Sequence, residues 1–422
     1  VFFALTDEQR ALAETVRDVL ADRFDLTAVR AVFEDTGGDG HPRELWRTIG
    51  DQGWLSVCVP VDQGGLGLGL VDAQVIARAF GAGVLPGPWA STVLAGEAVR
   101  RFGSSAQATA VLGPLGGGEL VATVALRGPG GGLGRPGIAV RATSDGRLYG
   151  MASGVEYAAV ADLLVVAALE AAPETAPGAD ADATGGTAVV PVDGVGLYLV
   201  DPCAVGVRVA PQSGFDGTTR LAAVTLEGVL GRRLPGSDDA ALADLLRRGA
   251  VLAAADLVGL AREALRRTVA YDSARVQFGR PVGSFQALAH HLADLHVAVT
   301  MAEHAVLFAA HAVDSTPADI PANVTPADTP ADATELADPV DVEPVDVDRV
   351  DAVLAVAIAK SKASDTARDV TAAMIQYHGG IGYTWEHDTH FFYKRAKRLA
   401  AAYGDSGDHL AEIARTAVGP MS

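Results

Sequence analysis

Apolar positions change their spacing twice along this 422-residue chain. In the first hundred residues they recur at intervals of three and four. Leu12, Val16, Val19 and Leu20 follow a capping-box pattern at Thr6-x-x-Gln9, a second group gathers at Leu45, Trp46 and Ile49, and Val71 to Phe80 resumes the period. Stripes of this kind predict amphipathic helices. Between them, Gly53-Trp54-Leu55 and Val57-Cys58-Val59-Pro60 lead to Gln63-Gly64-Gly65-Leu66-Gly67. That run lacks a Lys-Ser/Thr ending and a strand-to-helix frame, so it reads as a tight turn and not as a phosphate loop.

From about residue 116 to 230 the runs shorten and the period falls to two: Val121 to Leu126, Ile138 to Val140, Leu163 to Ala168, Ala188 to Val192, Leu197 to Val200 and Leu221 to Leu226. Strands punctuated by Pro and Gly are expected there. Gly128 to Gly137 and Ala171 to Ala188 are so rich in Gly, Ala, Pro and Asp that they are expected to be mobile loops. Helical spacing returns from Asp238 to Ser273, from Phe285 past Met301 to about Val313, and from Val350 through Ile358 and Ala372 to Tyr377. Ser315 to Asp348, without periodicity or aromatic residues, is expected to be a disordered acidic insertion. The domains predicted are thus helical over 1–115, all-β over 116–230 and a helical bundle over 231–422.

Charge and composition narrow the chemistry. A formal net charge of −19 repels nucleic acid and anionic lipid over most of the surface. No apolar run reads as long and clean enough to span a bilayer, and the first residues lack a basic-then-apolar leader, so a soluble cytoplasmic protein is expected. Cys58 and Cys203 have no metal spacing and cannot form a disulfide framework. His290, His291, His296, His304 and His311 fall in the second bundle helix, but no paired Glu-x-x-His motif accompanies them, and no metal is expected.

Two motifs remain. Arg275-Val276-Gln277-Phe278-Gly279 is followed by Phe285-Gln286, and about a hundred residues later come Gln376-Tyr377-His378-Gly379-Gly380-Ile381-Gly382-Tyr383 and a basic helical segment ending at Lys397. A pyrophosphate needs a cation or oriented N–H groups where water is partly excluded, which Arg275 and a glycine turn offer. In this order the pair resembles the flavin adenine dinucleotide (FAD) signature of the acyl-CoA dehydrogenase family. The resemblance implies a mainly α fold with a central β-barrel or sandwich and a C-terminal four-helix bundle. It also implies that Arg275, Gln277, Phe278 and Gln286 contact the cofactor's diphosphate and adenosine, while Gln376, Gly379 and Gly380 approach the same half from a neighbouring subunit. The reaction implied is α,β-dehydrogenation of an acyl-CoA in fatty acid or steroid β-oxidation, with an electron-transfer flavoprotein or similar acceptor.

The sequence departs from that family at the reacting end. The usual base is a glutamate in Tyr-Glu-Gly, and its place in Ala402-Tyr403-Gly404-Asp405 holds Tyr403; the minority position on the long helix holds Gly249. Where the family keeps Thr-Glu-Pro and a Trp-containing strand against the flavin ring, this chain has Ala125-Leu126-Arg127-Gly128-Pro129 and Gly154-Val155-Glu156-Tyr157-Ala158. An arginine that helps bind coenzyme A matches Ala250, with Arg247 and Arg248 nearby. The pattern resembles the partner subunit of actinobacterial α2β2 acyl-CoA dehydrogenases, in which a second subunit carries the base. Two other readings stay open: a self-sufficient dehydrogenase with Glu386 or Asp388 as a relocated base, and a catalytically silent scaffold.

Overall fold

The computed structural model describes residues 4–171, 192–316 and 351–418. The expected loop over 171–188 and the expected insertion over 315–348 lie almost wholly outside the described residues. Six helices come first: α1 (Asp7–Arg23), α2 (Leu26–Glu34), α3 (Arg43–Asp51), α4 (Leu70–Ala82), α5 (Trp89–Phe102) and α6 (Ser105–Gly116). The Thr6 and Gln9 capping box forms, each side chain bonding the other's backbone N–H.

Eight strands follow: β1 (Ala122–Ala125), β2 (Val140–Ala142), β3 (Arg147–Glu156), β4 (Leu163–Ala171), β5 (Val192–Val200), β6 (Val207–Gln212), β7 (Leu221–Leu230) and β8 (Arg232–Arg233). They make one mixed sheet in the order β6-β7-β3-β2-β4-β5-β8, with β1 pairing parallel to β4 and β2 also parallel to β4. Gly128 to Gly137 is a closed loop, its ends tied by Gly128 N–H donating to Gly137 O at 2.7 Å. In β3 the register slips between Ala152 and Val155, so Ser153 and Gly154 bulge and Gly154 takes φ +66°. Such a bulge re-aims the residues after it, here Val155 and Glu156.

The chain then returns to helices: α7 (Asp239–Ala274), α8 (Gln286–Ser315), α9 (Ala352–His378), α10 (Thr389–Ala401) and α11 (Ser406–Val418). The Arg275 motif itself is a small hairpin, β9 (Val276–Gln277) against β10 (Arg280–Pro281). Helix α8 departs from one expectation: by length and composition alone it is apolar enough to cross a membrane. In the structure it packs in the bundle against α7 and α9, yet only a third of its most apolar 18-residue window is buried.

One core runs from the first helices into the bundle, joining Trp54, Phe80 and Trp89 to Leu257, Val299, Val370 and Phe391. Two further clusters cover the faces of the sheet. Helices α4 and α7 cross at glycines: a Cβ on Gly81 would stand 2.7 Å from the Asp256 carbonyl carbon, and one on Gly259 equally close to that of Arg78. Without side chains at the crossing the backbones can touch, which seats the N-terminal helices on the bundle. Gly259→Val forces them apart, and overpacking of this kind costs about 1–3 kcal/mol. A lower urea midpoint is the expected result; an unchanged midpoint would show that the crossing tolerates a side chain.

Candidate functional site

Helix α10 ends in the turn Ala402-Tyr403-Gly404, and this turn forms one wall of a crevice between α7, α10 and the sheet. Tyr403 has φ +54°, a left-handed conformation unfavourable for a bulky side chain, and Gly404 follows at φ +97°. What holds the turn is Lys360 on α9, fully buried, whose Nζ donates to Ser364 Oγ (3.1 Å), Ala400 O (3.1 Å) and Gly404 O (2.9 Å). Its ammonium thus caps the carbonyl end of α10. The Tyr403 ring lies against Gly249 of α7, where an added Cβ would stand 2.6 Å from Tyr403 Cδ1. Tyr403 and Gly249 therefore interlock, the ring filling the space that the missing side chain at 249 leaves.

Two cavities meet at this ring. The larger, roughly 210 Å³, is lined by Leu126, Arg127, Val155, Leu221, Leu246 and Tyr403 among others. The smaller, about 50 Å³, lies between Phe80, Trp89, Leu252 and Tyr403, and Glu156 and Arg398 border both. Arg398 Nη1 donates to Glu156 Oε1 at 2.6 Å and its Nε to Asp216 Oδ2 at 2.9 Å. One turn earlier, Arg395 bonds Asp256 on α7, the Leu85 carbonyl and Thr218 Oγ1. Burial pushes the Asp216 carboxyl up, but Arg398 and Arg395 outweigh it and hold it below its ordinary value. Burial, then the Glu156 carboxylate, raises the Tyr403 phenol well above its ordinary range, with Arg398 and Arg127 pulling the other way.

The motif residues gather elsewhere, on the outer face of the bundle. Arg275 caps the C-terminus of α7, Gln286 opens α8, and Gln376, Gly379 and Gly380 lie at the end of α9. Phe278 is 91% exposed and sits at φ +53°. A Cβ on Gly279, Gly379 or Gly380 would meet nothing within 4 Å, so these backbones border open space. Among the described residues, Gln277 Nε2 donates only to the neighbouring Val276 carbonyl at 2.8 Å. Beneath this face Tyr271 stacks on His378 with ring centroids 4.4 Å apart, and His291 pairs with Tyr377. Asp272 is fully buried with no hydrogen-bond partner for either oxygen among the described residues, and burial raises its pKa to about 6.

Glu386 and Asp388 belong to neither cavity. Arg30 of α2 donates to Asp388 Oδ1 at 2.7 Å and to the carbonyls of Trp385 (2.9 Å) and Glu386 (3.0 Å), tying this segment to the N-terminal helices. Arg248 is also committed, bonded to Glu97 and Asp244 in the interior. The Glu156, Asp216 and Arg398 constellation went unforeseen, because its members are far apart in sequence; only the glycine at 154, inside a strand pattern, signals a bulge. Among the described residues no cluster of His, Cys, Asp or Glu suits a metal ion.

The N-terminal-domain model of the acyl-CoA dehydrogenases matches residues 6–119, and the C-terminal-domain model matches 240–338 and 342–418. The chain belongs to the acyl-CoA dehydrogenase family. It is 28% identical over 410 residues to acyl-CoA dehydrogenase IpdE2 of Mycolicibacterium smegmatis, covering 97% of this chain and 98% of that one. A steroid acyl-CoA dehydrogenase, the Tcur3481-Tcur3483 G363A variant, superposes with a TM-score of 0.79 at 26% identity, over 98% of both chains. The ChsE4-ChsE5 complex from Mycobacterium tuberculosis shares the fold, with a TM-score of 0.79 at 24% identity over the full length of both chains.

Acyl-CoA dehydrogenases are flavin oxidoreductases that generally bind FAD. The residues here fit the two ends of that cofactor unequally. The outer face is open, glycine-lined and bears Arg275, as an adenosine diphosphate requires. The crevice suits a flavin ring poorly: at its edge stand the Glu156–Arg398 pair, the apolar Leu126 and the Arg127 guanidinium over Gly154.

The capping lysine gives a pH test. Burial pulls Lys360 down to about 7 from its ordinary 10.5. Between those values the unfolded chain binds more protons than the folded one, so this group makes stability rise with pH; below about 7 its cost is full and constant. Urea unfolding of the wild type between about pH 7.5 and 9.5 is expected to show a rise, approaching about 1.4 kcal/mol per pH unit, that Lys360→Met lacks. Parallel profiles would show that Lys360 titrates normally.

Proposed function

We propose that this chain is the FAD-binding, base-less subunit of a heteromeric cytoplasmic acyl-CoA dehydrogenase, and that it shares a flavin site with a subunit that abstracts the proton. The observation that carries this reading is the interlock of Tyr403 with Gly249, which leaves neither family position with a carboxylate. Arg275 would neutralise the diphosphate, Gln277, Phe278 and Gln286 would border the adenosine, and Gln376, Gly379 and Gly380 would let its backbone approach closely. When bound, FAD supplies the acceptor for the hydride leaving the acyl β-carbon, and an electron-transfer flavoprotein or similar protein would take the electrons onward.

An assembly is also supported by the surface. Val276, Phe278, Ile381, Tyr383 and Trp385 are large and exposed around the same half-site, and Val297 and Met301 are exposed on the apolar helix α8. Large apolar side chains left exposed on these segments support an interaction surface. The steroid acyl-CoA dehydrogenase among the structural relatives makes a steroid side-chain thioester the first substrate to try, in an α2β2 assembly.

Two experiments test the reading. Co-expressed with a second acyl-CoA dehydrogenase that has an intact Tyr-Glu-Gly base, the chain is expected to co-purify as a yellow heteromer that oxidises acyl-CoA, whereas the chain alone gives no turnover. Full flavin loading and turnover by the lone chain would overturn the proposal. Within the heteromer, Arg275→Ala is expected to weaken FAD binding roughly tenfold or more, the scale of one charge-assisted contact, while leaving the circular dichroism spectrum unchanged. Unaltered flavin content on dilution would remove Arg275 from the site.

A further inference from the structure

The crevice around Tyr403 is not closed, although it suits a flavin ring poorly. Its walls are apolar for most of their extent: Val124, Leu126, Leu133, Val155, Leu221 and Leu246 face a space of roughly 210 Å³, and the smaller cavity continues past Tyr403 toward Trp89. Its charges are arranged asymmetrically. At the deep end Arg398 is already matched by Glu156 and Asp216, and Arg395 beyond it by Asp256, so three carboxylates face two guanidiniums and the floor offers no uncompensated positive charge. Arg127, by contrast, is exposed and lines the same cavity, and among the described residues its guanidinium has neither a hydrogen bond nor an ion pair.

The sequence makes room for that cation. A Cβ on Gly154 would stand 3.3 Å from Arg127 Nη2, so the glycine lets the guanidinium lie directly against the strand backbone. The bulge at Ser153 and Gly154 is braced from β6, Gly154 N–H donating to Gln212 Oε1 at 2.8 Å. Arg127 thus lies over a fixed backbone. An unpaired guanidinium outside, apolar walls within and a floor with no uncompensated positive charge are the requirements of an amphipathic anion lying tail inward.

We infer that this crevice binds an apolar monocarboxylic acid, its carboxylate on Arg127 and its hydrocarbon body along the wall formed by Leu126, Val155, Leu221 and Leu246. The site is this chain's own and does not depend on a partner's base. A bound acid of this kind would report the local supply of the acid from which an acyl thioester is made or to which it is hydrolysed.

The test is isothermal titration of the full-length chain with sodium decanoate, decanol, decanoyl-CoA and FAD, with Trp89 at the inner cavity giving a parallel fluorescence signal. Decanoate is expected to bind saturably and at least about tenfold more tightly than decanol, the usual worth of a charge-assisted contact. Arg127→Met is expected to bring decanoate down to the level of decanol, and Arg127→Lys to keep part of the preference. Because Arg127 is exposed, both variants should melt with the wild type. The inference is overturned if decanoate binds no better than decanol, if Arg127→Met leaves its affinity unchanged, or if only decanoyl-CoA or FAD gives a saturable signal. Co-purification with a second subunit does not enter this measurement, so the two proposals can fail separately.

Discussion

Two arginines one turn apart on α10 fix the geometry on which the crevice depends. Arg395 reaches Asp256 on the long helix α7 and the carbonyl of Leu85 before α5, while Arg398 reaches Asp216 and Glu156 in the β region. One helix turn is thereby tied to the N-terminal helices, the bundle and the sheet at once. Buried pairs of this kind add little net stability, because desolvation offsets the attraction, but an unpaired member is strongly unfavourable. They act chiefly as a constraint: α10 satisfies both arginines only in one orientation, and that orientation delivers Tyr403 to the crevice.

The same constraint seats the Tyr403 ring against Gly249. A small residue at 403 would leave a cavity, with the loss of contact that cavities bring. Tyr403 is large, and Gly249 opposite supplies the room for its ring. The turn bearing Tyr403 is strained, and the strain is sustained by two hydrogen bonds, to Ala400 O and Gly404 O, from a lysine buried beneath it. The outer half-site shares none of these supports. It is built from a hairpin and a helix end on the outer face of the bundle, away from the turn that bears Tyr403.

Much of the architecture was legible in the chain. The switch of apolar period from helical to alternating and back marks the central sheet, since burial on one face imposes period two on a strand and 3.6 on a helix. The motifs at Arg275 and Gln376 were legible too, because each is a short local arrangement of a charge or amide beside glycines. Helix α8 shows the limit of such reading: its composition alone cannot tell a membrane span from a bundle helix left half uncovered, and only its packing against α7 and α9 decides.

Sequence by itself determined the order of helices and strands, the family signature and the absence of a carboxylate at residues 249 and 403. These are local properties, readable wherever spacing and residue type suffice. Tertiary structure alone decided that Tyr403 and Gly249 touch, that Lys360 caps the turn between α10 and α11, and that Arg30 binds Asp388 outside the crevice. Each joins residues tens to hundreds of positions apart. Such pairings depend on how the sheet and helices close on one another, which no local pattern encodes.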